Sequence, residues 1–171
     1  MRRVTIPTTV AALALAAGAA APAAIAKDRP FRASLSGWTV SFGGDASDCV
    51  EVTGPGVSVT TLEGTGWASH LGRVDVWNQY CVDESTGEYG DGVLKLTAAN
   101  GDVLEGTFSG GVSALPDSGG LSAFQDTYTF TSGGTGRFTT ASGSGVENGN
   151  YNVGTGEWAM EITGTLDYKR R

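Results

Sequence analysis

Beyond residue 30 the chain alternates apolar and polar positions in steps of two, and Gly, Asn, Asp and Ser interrupt the alternation at short intervals. A period of two places successive side chains on opposite faces of an extended strand, whereas a helix would repeat every 3.6 residues. The pattern predicts a first strand over residues 31–42, with a kink at Gly37 where the apolar positions move from Phe31, Ala33 and Leu35 to Trp38, Val40 and Phe42. A second is predicted over 57–69. A third, over 73–82, places Val74, Val76, Asn78, Tyr80 and Val82 on one face. The turn Asp83-Glu84-Ser85-Thr86-Gly87 leads to a fourth over 89–98, with Leu94, Leu96 and Ala98 on one side.

Asn100-Gly101 between two alternating runs predicts a two-residue type I′ hairpin, whose central residues both need positive φ. The return strand is expected over 103–109. A Gly/Ser/Pro loop over 110–122 precedes a strand over 123–131 in which Phe124, Asp126, Tyr128 and Phe130 share a face. After a glycine-rich turn, one strand runs toward Tyr151, and the last puts Trp158, Met160, Ile162, Leu166 and Tyr168 on one side. About eight strands with short connections fit a closed antiparallel β-barrel, because closure removes the exposed edges of an open sheet. A two-sheet sandwich is the alternative left open.

The first 26 residues read differently. Arg2 and Arg3 precede an Ala-rich apolar run too short for a membrane span, and Ala24-Ile25-Ala26 forms a small-x-small cleavage site. The expected organisation is a signal peptide over 1–26 and a barrel domain over 27–171, secreted to the periplasm or the exterior. The residues after the arginines lack a twin-arginine pattern, and no cysteine marks a lipid anchor, so no stable membrane anchor is expected. With 11 basic and 18 acidic residues the formal charge is −7, which disfavours phosphate backbones, and no nucleic-acid partner is expected. The 27 glycines are scattered through alternating segments, as in turns and bulges of a β protein.

Cys49 and Cys81 are an even pair in an oxidising destination, and a structural disulfide is the expected state. A reactive cysteine would need a nearby base or cation, and the sequence offers none.

The segment Gly133-Gly134-Thr135-Gly136-Arg137-Phe138-Thr139-Thr140-Ala141-Ser142-Gly143 resembles the glycine signature of the allene oxide cyclase and dirigent barrel superfamily. Ser69-His70-Leu71-Gly72-Arg73 and Ala98-Ala99-Asn100-Gly101-Asp102 are similar to small secreted bacterial proteins of that barrel class. The resemblance spans about residues 31–168, and the glycine turn is its specific part. It implies an eight-stranded barrel that handles apolar small molecules, often as an oligomer. No motif matching the catalytic residues of the plant members surrounds a candidate here, so those roles are not transferred.

Candidate chemistry is sparse. His70 is the sole histidine and lies in a turn, where a structural hydrogen bond is the simpler role; a metal site would need three or four ligands, and none is expected. No nucleophile elbow, phosphate loop or EF-hand pattern occurs, and no cofactor is expected. Asp126 shares a face with Phe124, Tyr128 and Phe130, so an inward face would bury a carboxylate; solvent exposure at a strand end, or pairing with Arg137, are the alternatives. Asn78 and Tyr80 occupy the corresponding face of another strand. Asn78, Tyr80, Asp126 and Tyr128 are therefore the candidate ligand-binding residues in an apolar lumen, with no catalytic residue assigned. Trp77 shares parity with Arg73, Asp75 and Gln79, facing outward as an association surface. The expected function is non-catalytic binding of a small apolar ligand or a partner, with a homo-oligomer as one form of the latter. Isomerase- or cyclase-like guidance of a reactive apolar substrate, and a structural envelope or matrix role, are the alternatives.

Overall fold

A computed structural model describes residues 28–169. The expected signal peptide over 1–26 and the last two arginines lie outside the described residues. Those described form nine strands: β1 (Arg29–Gly44), β2 (Val57–Ala68), β3 (Gly72–Asp83), β4 (Glu88–Ala98), β5 (Val103–Phe108), β6 (Gly111–Val112), β7 (Leu121–Thr131), β8 (Ser142–Asn152) and β9 (Glu157–Asp167). Each long strand pairs antiparallel with its sequence neighbour, β5 pairs with β7, and β9 pairs with β1. The ring is thus an eight-stranded up-and-down barrel, and the two-residue β6 merely caps the start of β4.

Closure turns one parity of every strand into core. Phe31, Ala33 and Leu35 of β1, Val74, Val76 and Asn78 of β3, Tyr128 and Phe130 of β7, and Trp158, Met160 and Ile162 of β9 all point inward and are buried. The predicted faces of β3, β7 and β9 are those observed. The glycine turn that carried the resemblance folds as one turn of 3₁₀ helix, Gly136–Phe138, and drives the fully buried Phe138 into the lower end of the barrel. There it packs at a tilt against Tyr168, with ring centroids 5.0 Å apart, and Thr135 secures the turn through N–H to the Val103 carbonyl at 2.8 Å. Arg137 pairs with Asp102 at 3.2 Å, so it is not the partner of Asp126.

Two local expectations are corrected. In β1 the core parity does not move to Trp38, Val40 and Phe42. The pairing with β2 slips between Thr39 and Ser41 and again before Gly44, and these three side chains end up exposed, Trp38 and Val40 along the outer wall and Phe42 at the rim. The Asn100-Gly101 hairpin is a three-residue loop, not type I′. Gly101 alone has positive φ (83°), its N–H bonds the Ala98 carbonyl, and Ala98 N–H bonds the Asp102 carbonyl across the loop. That is a type I turn followed by a left-handed glycine, which keeps the strand twist without placing Asn100 in a left-handed conformation.

The disulfide joins Cys49 and Cys81, with Cα atoms 5.9 Å apart. It pins the loop over 45–56 to the outer wall of β3. Asp91 secures the same loop by accepting hydrogen bonds from the N–H groups of Val50 and Glu51, both at 2.8 Å.

Candidate functional site

The upper end of the barrel opens into a cavity of about 370 Å³, within the range of small-molecule sites. Leu62, Tyr80, Phe108, Phe124, Trp158 and Met160 supply most of the wall, and the β3–β4 turn with the segment over 113–116 forms the rim. The opposite end is shut by Phe138, so the described residues make a cup rather than a channel.

Sequence reasoning placed Asn78, Tyr80, Asp126 and Tyr128 on inward faces, and the structure brings all four to this lumen. Asn78, Tyr80 and Asp126 line the cavity. Tyr128 stands one step deeper on β7, wholly buried, where its hydroxyl accepts from Asn78 Nδ2 at 3.2 Å and bonds the carboxyl of Glu147. His70 is remote, at the β2–β3 turn of the closed end, where its Nε2 meets the Pro30 carbonyl at 3.0 Å. Trp77 faces outward as expected, half-buried beneath the Lys95 ammonium, which lies 5.1 Å from its ring centroid.

Two residues of the site were not foreseen. Glu147 on β8 is the direct cross-strand partner of Asp126 and points into the same lumen, 2% exposed. Its neighbours of the same parity, Gly145 and Gly149, erase the apolar alternation, and only the shared parity with Tyr151 signals its direction. Tyr89 was the second. Between its pairings with Gln79 and Cys81, β4 carries one residue more than β3, and Asp91 (φ 51°) absorbs it. This bulge reverses parity, so Tyr89 on its rim side and Leu94 on its closed-end side both face inward. The Gly90-Asp91-Gly92 triplet is the signal that could have revealed it. Gly92 must lack a side chain, because a Cβ there would overlap the ring of Phe108.

Burial governs the electrostatics. Desolvation pushes Asp126 up to about 6, opposed by the Tyr89 hydroxyl, which donates to Oδ2 at 3.1 Å. Desolvation also raises Glu147 to about 8; the charge of Asp126 adds to this, and the Tyr128 hydrogen bond opposes it. At neutral pH the pair therefore holds one proton, mainly on Glu147, and one negative charge, mainly on Asp126. Burial raises Tyr80, Tyr89 and Tyr128 as well, so all three stay neutral donors. Four lining residues keep a buried polar atom with no protein partner: Asn78 Oδ1, Asp126 Oδ1, Glu147 Oε2 and Trp158 Nε1. Native interiors rarely leave such atoms unpaired, and four of the nine among the described residues belong to the lining of this one cavity.

Fold and site together define an antiparallel barrel with a blind, largely apolar lumen and two buried carboxyl groups paired across strands in its wall. No protein-family model, no curated protein and no solved structure matches the chain.

Proposed function

We propose that this chain is an exported barrel that binds a small, largely apolar molecule in its lumen without transforming it. The carrying observation is the blind cavity of about 370 Å³, apolar along most of its wall, with four unpaired polar atoms on its lining residues. Orientation by a few placed polar groups within an apolar wall is how small-molecule sites achieve specificity. Export is supported by the leader-like first 26 residues and by the Cys49–Cys81 bridge, a bond that persists in oxidising compartments. The resemblance of the Gly133–Gly143 segment to the allene oxide cyclase and dirigent barrels supports the same reading.

Calorimetric titration with 1-octanol, a neutral apolar probe, tests it. Saturable one-site binding with a negative heat-capacity change is expected, and Met160→Trp, which fills the lumen, should abolish it. Absence of binding, or binding indifferent to Met160→Trp, would reject lumenal binding.

One observation favours a catalytic alternative. Asp126 near 6 and Glu147 near 8 supply a base and an acid at neutral pH, the split needed to move a proton on a reactive apolar substrate. Cyclisation of a racemic unsaturated epoxide to one enantiomer, lost in Asp126→Asn, would establish that reading. Racemic product at the uncatalysed rate would leave the binding protein.

A further inference from the structure

The cavity wall is chemically one-sided. Its lining includes three carboxyl groups, Glu84 at the rim and Asp126 and Glu147 within, and no Lys, Arg or His. Of the four unpartnered atoms, Asn78 Oδ1 and Asp126 Oδ1 are acceptors, and Glu147 Oε2 becomes a third once the Glu147 proton leaves. Each belongs to a side chain more than nine-tenths buried, with exposures of 2%, 8% and 2% in that order. Their other polar atoms are already fixed. Asn78 Nδ2 is bound to the Tyr128 hydroxyl, Asp126 Oδ2 to Tyr89, and the Glu147 carboxyl to Tyr128, so turning any of these side chains breaks a bond it already makes.

A ligand that completes this arrangement must bring donors and positive charge. A hydroxyl offers one O–H, and a carboxylate would face two acids. A calcium ion wants six to eight oxygens, more than the three free acceptors provide. An ammonium group offers three N–H donors, one for each acceptor, and the rings of Tyr80, Tyr89 and Phe108 stand around the same space, as cation recognition commonly uses.

We propose that the lumen selects a protonated aliphatic amine, whose ammonium group docks among Asp126, Glu147 and Asn78 while its hydrocarbon body fills the aromatic upper cavity. This rests on the lumenal-binding reading above and adds the ligand class. Trp158 Nε1, the unpartnered donor among the described lining residues, is left for an acceptor elsewhere on the ligand. The titratable groups facing the ammonium are Tyr80 on β3, Tyr89 on β4, Asp126 and Tyr128 on β7 and Glu147 and Tyr151 on β8, with Glu84 above; β2, β5 and β9 contribute none to the cavity wall. A cation among these groups favours the ionised carboxyls, so binding near pH 7 should expel the proton held by Glu147.

The test compares 1-octylamine, 1-octanol and octanoate by calorimetry on the purified chain. The amine should bind at least about tenfold more tightly than the alcohol, the scale of one charge-assisted contact in a desolvated site, and octanoate should bind weakest. Titrations in buffers of different ionisation enthalpy should show proton release with the amine alone. The amine's advantage should shrink as pH falls toward about 5, where both carboxyls are protonated. In Glu147→Gln and Asp126→Asn the ratio of amine to alcohol affinity should fall about tenfold. Equal binding of amine and alcohol, or a ratio untouched by both substitutions, overturns the amine inference and leaves lumenal binding standing. Failure of all three probes overturns both.

Discussion

Glu147 and Asp126 face each other across the β7–β8 ladder, a placement in which two like charges repel. The barrel tolerates it because one of the two stays protonated, at a cost that depends on pH. Both groups titrate higher in the fold than in the open chain, Glu147 near 8 instead of 4.5 and Asp126 near 6 instead of 3.8. Between each pair of values the native state holds more protons than the unfolded chain, so stability declines as pH rises through the window. For Glu147 that decline begins near 4.5 and is complete above about 8. Glu147→Gln removes the titration and should raise unfolding free energy at about pH 8 by about 1–3 kcal/mol, with little change at about pH 5. Urea unfolding at the two pH values measures this. Parallel pH profiles for the two proteins would mean that the carboxyl does not carry the cost. At this scale the sequence was partly legible. Asp126, Asn78, Tyr80 and Tyr128 were readable because apolar neighbours of the same parity declared their faces. Glu147 was not, because glycines on either side left no apolar parity to follow.

Among the elements, β4 shows how one inserted residue reshapes a site. Without the bulge at Asp91 the parity of Leu94, Leu96 and Ala98 would carry Tyr89 to the outer wall, away from Asp126. With it, Tyr80, Tyr89 and Phe108 close into an aromatic cluster whose centroids lie 6.0 to 6.2 Å apart. Gly92→Ala would press a methyl group into the Phe108 ring, and overpacking of this kind should destabilise the protein by about 1–3 kcal/mol. It should also alter the near-ultraviolet circular dichroism of the cluster. An unchanged urea midpoint and spectrum would show that Phe108 yields freely. Most strands were legible from their period of two, and the pairing of sequence neighbours came from the short turns. Bulges in β1 and β4 were not, since a slip of register is decided by the partner strand. The three-residue loop at Asn100 was hidden for a related reason: Asn-Gly fits more than one hairpin geometry, and the backbone bonds around Ala98 choose between them.

The whole molecule is held together by cross-strand pairing around the ring and one covalent staple outside it. The Cys49–Cys81 bridge closes a separation of 32 residues and ties down a loop that contributes few side chains to the core. On the chain-entropy account such a closure stabilises by about 3–4 kcal/mol. The Cys49→Ser/Cys81→Ser double variant should lose about that much in urea unfolding while 1-octanol affinity stays the same, because no bridged residue lines the cavity. Undiminished stability would show that Asp91 and the buried Val52 suffice to hold the loop.

The plug formed by Phe138 and Tyr168 also sets the traffic of whatever enters. With one doorway, an elongated guest must arrive head first and leave by reversing the same path, shedding its shell of water on the way in and regaining it on the way out. Recognition then falls on the leading group, while the trailing chain lies toward the rim, where extra length extends into solvent. In a homologous series the head would govern residence time, and added carbons would matter only until the tail clears the doorway. Such a cup is strict about the leading end of its guest and lenient about the tail.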